Sequence, residues 1–209
     1  MDIVLENLCK SYGDHIVLDK FSAVIPAGQA TAIMAPSGCG KTTLLRILMG
    51  LEQADSGSIS GLSHKKISAV FQEDRLCKNL SPVSNIHLVA PELKKSDIIA
   101  AMEQIGLTGC FSQPIRELSG GMKRRVAILR ALLADYDVLF LDEPFKGLDA
   151  DTKRLVIADT RQKSAGKTVI LITHEEEDIS LMGVHQILTI DTGKHATGSF
   201  LRMPGNRNY

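Results

Sequence analysis

The segment that most restricts the fold of this chain is a glycine-rich stretch over residues 35–43, which reads APSGCGKTT. An apolar run over residues 31–34 precedes it. Leucines at helical spacing follow it, at Leu44, Leu45, Leu48 and Leu51. A strand, a glycine-rich loop and a helix in this order are typical of a phosphate-binding loop, because backbone N–H groups and the positive end of the helix meet an anion there. The sequence therefore predicts a strand–loop–helix unit that binds phosphate.

This stretch fits the pattern GxxxxGK[ST] at every position except the first, where Ala35 replaces glycine. Lys41 is expected to reach the β- and γ-phosphates of a nucleotide, and Thr42 to place its hydroxyl on Mg²⁺. Alanine costs on the order of 1 kcal/mol only where the backbone needs a positive φ, so we expect weaker binding at worst. The predicted nucleotide-binding residues of this loop are Ser37, Gly38, Cys39, Gly40, Lys41, Thr42 and Thr43.

Charge balance and cysteine spacing restrict the partners and the compartment. The 209 residues carry 24 Lys plus Arg against 24 Asp plus Glu, so no net field draws the chain to nucleic acid or to an acidic membrane. The four cysteines form no CxxC pair, which disfavours a zinc site and favours a reducing compartment. They are Cys9, Cys39, Cys77 and Cys110.

The first residues and the longest apolar runs predict where the chain resides. Asp2 and Glu6 stand where a signal peptide has its basic residues. No apolar run approaches the roughly 18 residues of a membrane span. We therefore expect a cytoplasmic chain that does not cross a membrane alone.

Apolar runs that alternate with helical patterns indicate an α/β fold. The runs over residues 138–141, 169–172 and 187–190 are almost entirely apolar, as are strands of a parallel sheet covered on both faces. The first 34 residues alternate short apolar runs with turns, which favours an antiparallel β-meander. Residues 74–118 are more polar, with prolines between short helical segments.

These patterns predict one domain over residues 1–209. Within it, residues 1–73 and 119–209 are expected to form a β-subdomain and the core, and residues 74–118 an inserted helical subdomain.

A second glycine motif, Leu118-Ser119-Gly120-Gly121, stands directly before a helical pattern. Together with the first loop it resembles the signature of the ABC-type ATPases. In that family Ser119, Gly120 and Gly121 would form a phosphate cradle for the ATP that a second copy binds. The family usually carries glutamine where this chain has Met122, which leaves one polar contact in doubt.

An apolar run over residues 138–141 delivers two acids, Asp142 and Glu143, to the carboxyl end of a strand, where open α/β sheets bind ligands. The run resembles the Walker B motif. By that resemblance Asp142 would hold Mg²⁺, and Glu143 would orient and deprotonate the water that attacks the γ-phosphorus.

Four single residues match positions that have functional roles in the ABC-type ATPases. Gln72 matches the Q-loop glutamine, which contacts Mg²⁺ or the water. His174 matches the switch histidine, which hydrogen-bonds the γ-phosphate. Asp149 ends a Gly-Leu-Asp sequence that matches the D-loop, and Tyr12 stands where the family carries an aromatic residue that stacks on adenine.

The resemblance implies a P-loop NTPase (RecA-like) core with a mainly parallel sheet, an N-terminal antiparallel β-subdomain and a helical insertion. It implies ATP and Mg²⁺ as ligands and a head-to-tail dimer of two copies. It also implies integral membrane transporter subunits, with a solute-binding protein, on separate chains, and a place on the inner face of the cell membrane. The chain is similar to bacterial importer ATPases of the nitrate, sulfonate and taurine group, and no nucleic-acid partner is expected.

Two alternatives stay open. A non-transport ABC-type ATPase that acts on nucleic acid or ribosomes would be expected to carry a coiled coil or tandem ATPase units. A catalytically silent module would need a broken site, and only Ala35 and Met122 favour it. The basic residues after Ser119 are expected to lie on a solvated helix face rather than to bind nucleic acid. They are Lys123, Arg124, Arg125 and Arg130.

Overall fold

A computed structural model describes residues 1–34 and 38–190, and the backbone of residues 200–202. The strands are β1 (Ile3–Tyr12), β2 (His15–Ile25), β3 (Ala30–Met34), β4 (Ser56–Ser60), β5 (Ile67–Val70), β6 (Val138–Asp142), β7 (Thr168–Ile172), β8 (Gln186–Thr189) and β9 (Phe200–Arg202). The helices are α1 (Lys41–Leu48), α2 (Pro82–His87), α3 (Lys95–Gln104), α4 (Gly120–Leu133), α5 (Ala150–Lys163) and α6 (Glu176–Met182).

The larger sheet has the strand order β5-β6-β7-β3-β8-β9. The first five of these strands run parallel, and β9 is antiparallel to β8. Strands β6 and β7 are buried along their whole length, which explains their continuous apolar runs. The predicted α/β fold with a mainly parallel sheet is confirmed.

The smaller sheet is antiparallel, with the order β2-β1-β4. The sequence pattern predicted β1 and β2 but not β4, because serine and glycine dominate residues 56–60 and have low strand propensity. Pairing with β1 imposes the extended conformation on them. Gly57 has φ +97°, and a Cβ there would lie 2.5 Å from the carbonyl oxygen of Asn7, so the close approach of the two strands requires glycine. The antiparallel pairing of β1 with β2 confirms the predicted N-terminal antiparallel β-subdomain, and β4 adds a strand to it beside β1.

Two hydrophobic clusters cover the faces of the larger sheet. Strand β6 contributes to both, because successive side chains of a strand point to opposite faces. Leu139 and Leu141 pack in the cluster that contains the inward side of α4 and α5. Val138 and Phe140 pack in the cluster shared with α1 and the smaller sheet. Strand β6, which ends at Asp142, is thus packed against a hydrophobic cluster on each face.

The region from residue 74 to 118 contains α2, α3 and a 3₁₀ turn over Ile115–Glu117, in agreement with its predicted helical character. Asn85 is buried there, and its side chain accepts a hydrogen bond from the N–H of Cys77 (2.8 Å) and donates to the carbonyl of Ser81 (3.0 Å). These bonds fix the loop that enters α2. The exact division of the chain into subdomains stays a prediction.

Helix α1 is shorter than the spacing of its leucines predicted. Leu51 was predicted to share the apolar face of α1, but this helix ends at Leu48 and Leu51 is 56% exposed, so that prediction was wrong. The helix stops because Gly50 takes a positive φ. In the described part of the chain, every helix is too short or too polar to cross a membrane.

Replacing the buried Phe140 by alanine should lower the free energy of unfolding by about 3–5 kcal/mol, because it leaves a cavity between α1 and the sheet. Urea unfolding followed by circular dichroism measures this loss. The matched control is Leu155→Ala in α5, where the side chain is 45% exposed and the expected loss is below about 1 kcal/mol. Equal losses for the two variants would contradict the assignment of Phe140 to the core.

Candidate active site

The predicted functional residues gather at the carboxyl edge of the parallel sheet. Gln72 follows β5, Asp142 ends β6 and Glu143 comes next, and His174 follows β7 by two residues. The loop after β3 leads into α1 at Lys41. Because parallel strands end at the same edge of a sheet, the topology alone brings these segments together.

A cavity of about 350 Å³ lies between these segments. Its described lining comes from the glycine-rich loop and the start of α1 on one side, and from the ends of β5 and β6 on the other. The lining residues are Val17, Gly38, Gly40, Lys41, Thr42, Thr43, Gln72, Asp142 and Glu143. The cavity therefore combines backbone amides, a lysine, hydroxyl groups and acids.

The loop before α1 is shaped by two glycines. Gly38 has φ +85° and Gly40 has φ +82°, and a Cβ on Gly40 would lie 2.4 Å from Cγ1 of Val17. The loop thus packs against β2 where a side chain does not fit. No acidic residue stands in the first turn of α1, so the helix itself places no negative charge at the positive end of its dipole. A phosphate would complement that end of the helix.

Cys39 and Ser37 are two predicted nucleotide-binding residues of this loop. The side chain of Cys39 is buried in the cluster with Leu44 and Leu45, so we expect it to meet phosphate through its backbone only. Ser37, like Ala35, lies outside the described residues, and its predicted role stays a prediction.

Asp142 is a buried acid, 7% exposed. Burial and the neighbouring charge of Glu143 raise its pKa above the ordinary value, although Arg124 and Lys41 act in the opposite direction. A divalent cation at this position would reverse the shift, because it stabilises the ionised carboxylate. The cavity also contains the hydroxyl of Thr42 and the side chain of Gln72, and oxygen donors of this kind suit Mg²⁺. The residues present therefore fit such an ion.

Glu143 is the centre of the polar contacts in the site. Its Oε1 lies 3.4 Å from Nδ1 of His174, and its Oε2 lies 2.9 Å from Nζ of Lys146 and 3.5 Å from Nε2 of Gln72. Burial raises its pKa, but the hydrogen bond and charge of Lys146, together with His174, outweigh burial and lower the pKa of Glu143. The structure thus brings Gln72, Glu143 and His174 into one cluster.

Lys146 is a member of this cluster that the sequence analysis did not find. Its only signal in the sequence is a basic residue three positions after Glu143, in the turn that follows β6. Such a lysine is normally a surface residue, and here too its side chain is 59% exposed while its ammonium group pairs with the acid.

The backbone at Glu143 is left-handed, with φ +44°. A non-glycine residue in this conformation costs on the order of 1–3 kcal/mol unless its surroundings compensate. The N–H of Glu143 donates to the carbonyl of Ile172 (2.9 Å), which ties the turn to β7. The carbonyl of Glu143 accepts from Nη2 of Arg124 (2.6 Å).

The prediction that the basic residues of α4 form a solvated face was wrong. Arg124 is 6% exposed, and each of the other three donates to a backbone carbonyl of this chain. Arg125 bonds to Ile105 and Gly106, Arg130 to Arg75, and Lys123 to Arg116. Periodicity did not predict this, because the carbonyls that accept from Arg125 and Arg130 lie 19 to 55 residues away in sequence, outside α4.

The loop of Ser119 borders a second cavity, of about 280 Å³. Ser119 caps α4 by accepting a hydrogen bond from the N–H of Met122 (3.3 Å). The described lining residues are Gln72, Asp74, Gly120, Gly121, Arg124, Glu143, Lys146 and Gly147. Among the described residues, only Gln72 and Glu143 line both cavities, so the described parts of the two glycine loops border different cavities.

Asp149 and the loop of His174 are both joined to α5. Asp149 caps this helix by accepting from the N–H of Thr152 (3.0 Å), and this bond lowers the pKa of Asp149. One turn later the buried Lys153 pairs with Glu175, and it lies 2.6 Å from Asp178. Lys153, which the sequence analysis also missed, thereby fixes the segment next to His174.

Tyr12 lies at the end of β1 and is half exposed. Its hydroxyl donates to Glu52, and Nζ of Lys10 lies 5.4 Å from the ring centroid. The described lining of the larger cavity includes Val17 of the adjacent strand but not Tyr12. Its stacking on adenine stays a prediction.

Replacing Lys146 by methionine should raise the pKa of Glu143, because the ionised carboxylate loses its closest positive partner. A titration of the Glu143 carboxyl carbon by NMR measures this shift. The control is Lys123→Met, since the ammonium group of Lys123 bonds to the carbonyl of Arg116 instead. An unchanged pKa in the Lys146 variant would show that this ion pair does not form in solution.

Comparison with known proteins gives a family match. A family model described as "ABC transporter" matches residues 18–146 of this chain. This match includes the glycine-rich loop, Gln72, the Ser119 loop, Asp142 and Glu143.

Individual relatives have similar descriptions. The Fe(3+) ions import ATP-binding protein of Mannheimia succiniciproducens is 32% identical, over 92% of this chain and 59% of that protein. The aliphatic sulfonates import ATP-binding protein of Yersinia pestis is 36% identical, over 98% of this chain and 78% of that protein. The Nod factor export ATP-binding protein I of Cupriavidus metallidurans is 32% identical, over 91% of this chain and 68% of that protein. The chain thus spans about three fifths of the iron relative and larger parts of the other two.

Proposed function

Because this chain belongs to the ABC transporter family, we propose that it binds and hydrolyses ATP to drive solute transport through separate membrane-spanning subunits. The observation that carries the proposal is the cavity of about 350 Å³, in which Lys41 and the start of α1 lie opposite Gln72, Asp142 and Glu143. Positive groups for phosphate and acids for a metal ion and a water molecule thus border one space.

The glycine-rich loop supplies the binding groups. The amides of Gly38, Cys39 and Gly40 and the positive end of α1 would attract phosphate oxygens, and Lys41 would add a full charge for the β- and γ-phosphates. Thr43 serves the α-phosphate side of the loop. Tyr12 is the proposed support for the adenine ring.

The opposite wall supplies the hydrolytic groups. We assign to Glu143 the role of general base, because its carboxylate borders the cavity opposite Lys41 and an ionised carboxylate can accept a proton from water. His174 and Gln72 lie within 3.5 Å of the carboxylate of Glu143, which places them close to the proposed water position. His174 would hydrogen-bond the γ-phosphate, and Gln72 would orient the water.

Thr42, Gln72 and Asp142 are the proposed ligands of Mg²⁺. When bound, the ion would neutralise charge that develops on the phosphate oxygens. Asp142 suits this role because burial and the charge of Glu143 disfavour its ionised form, which a bound cation would stabilise.

The Ser119 loop is proposed to serve the ATP of a second copy. In one chain, Gly120 and Gly121 border the smaller cavity and the described P-loop residues border the larger one. A head-to-tail pair would let the Ser119 loop of each copy cover the nucleotide of the other. Asp149 would lie between the two ATP sites.

The partners follow from the family and from the names of the relatives. We propose integral membrane subunits with a solute-binding protein, and a place for this chain on the cytoplasmic face of the membrane. Import is favoured over export because an iron and a sulfonate relative are both described as import proteins. Isolation of the tagged chain from detergent-solubilised membranes tests this. Integral membrane proteins in the complex support transport, whereas ribosomes or DNA would favour the non-transport alternative.

Glu143→Gln should abolish most ATP hydrolysis but keep ATP binding, because it removes the base and keeps the shape of the side chain. In ATP without Mg²⁺ its solution mass should double from the 22.7 kDa of the single chain. Light scattering after size exclusion measures the mass, and phosphate release measures hydrolysis. The control Lys41→Ala should fail to bind nucleotide and keep the mass of one chain. Full hydrolysis by Glu143→Gln would overturn the role of Glu143.

A further inference from the structure

The guanidinium group of Arg124 joins three segments of the site. On the side of β6, Nε donates to the carbonyl of Pro144 (2.7 Å), and Nη2 donates to the carbonyls of Glu143 (2.6 Å) and Asp142 (3.1 Å). On the side of β5, Nη1 donates to the carbonyl of Phe71 (2.6 Å). The arginine itself stands on α4, the helix that Ser119 caps.

Burial makes these bonds obligatory. Arg124 is 6% exposed, and a buried guanidinium group must find acceptors for its donors in the protein. Among the described residues, its one ion pair is with Asp74, at 3.3 Å, so backbone carbonyls accept most of its hydrogen bonds. Only arginine offers a planar group with five N–H donors for such a set. A lysine has the charge but not this geometry.

The carbonyls that accept from the Arg124 guanidinium group lie next to the proposed catalytic residues. Three of them belong to consecutive residues, Asp142, Glu143 and Pro144, and the middle residue has the left-handed backbone. One rigid group therefore fixes the turn from which the Glu143 side chain projects. Through Phe71 it also fixes the backbone next to Gln72.

We propose that Arg124 is a positioning residue that holds the Glu143 turn and the start of the Gln72 loop in register with α4. Any displacement of the Ser119 loop is then transmitted to Glu143 and Gln72 through α4. The proposal rests on the ATPase function proposed above, because positioning has a catalytic consequence only if Glu143 acts as the base.

The first test is hydrogen exchange of the chain without nucleotide. Arg124→Gln removes most of the donors and should make the amides of Glu143, Phe145 and Lys146 exchange at least about tenfold faster; Pro144 has no N–H. The exchange control is Arg125→Gln on the same helix, whose guanidinium bonds to the carbonyls of Ile105, Gly106 and Gly121. It should leave exchange at residues 143–146 unchanged. Unchanged exchange in the Arg124 variant would overturn the proposal.

The second test is steady-state hydrolysis. In Arg124→Gln we expect kcat to fall by about 10- to 100-fold while the KM for ATP stays within about threefold, because the phosphate loop is untouched. The kinetic control is Lys163→Gln, whose ammonium group pairs with Asp159 of α5, and it should keep kcat within about twofold. A rise in KM with unchanged kcat, or faster exchange with unchanged kcat, would refute a positioning role.

If the Arg124→Gln chain does not fold, Arg124→Lys is the variant that tests the proposal. It keeps the charge and the aliphatic stem, so the chain should fold, and its exchange and kcat should still change in the same directions because the planar donor set is lost. Wild-type exchange and kcat in this variant would overturn the proposal. If the wild-type chain itself does not hydrolyse ATP, the proposed function fails, while the exchange test still decides whether Arg124 holds the turn.

Discussion

The parallel pairing of β6 with β7 and β5 is the constraint on which the site depends. Asp142 pairs in register with Ile172, and Val70 with Leu141, so the polar residues that follow these strands meet at one level of the sheet. Burial on both faces allows no slip of one residue, because a slip would turn Phe140 and Leu139 to the wrong clusters. The geometry of the acids is therefore a consequence of core packing.

Electrostatics then gives the two adjacent acids opposite pKa shifts. Asp142 is buried beside another acid and has a raised pKa, whereas Glu143 contacts Lys146 and His174 and has a lowered pKa. The two neighbouring acids thus acquire opposite shifts, because burial dominates at Asp142, whereas at Glu143 the hydrogen bond and charge of Lys146, together with His174, outweigh burial.

Much of the fold could be predicted from the sequence, because apolar runs and glycine motifs are local signals. The resemblance to ABC ATPases is confirmed by the family match, and the α/β class by the sheet. Strand β4 and the burial of Arg124 could not be predicted, because both depend on partners far away in sequence: β1 for the strand, and the loops after β5 and β6 for the arginine. The roles of the site residues stay predictions.

The separation of the two cavities within one chain has a genetic consequence. In the proposed pair, a chain damaged only in its Ser119 loop would retain its own nucleotide loop but leave the nucleotide of its neighbour uncovered. Such a defective allele would therefore interfere with the product of an intact one wherever a cell makes both. Complementation between a Ser119-loop allele and a Lys41 allele would likewise concentrate both lesions in one of the two composite sites and leave the other whole.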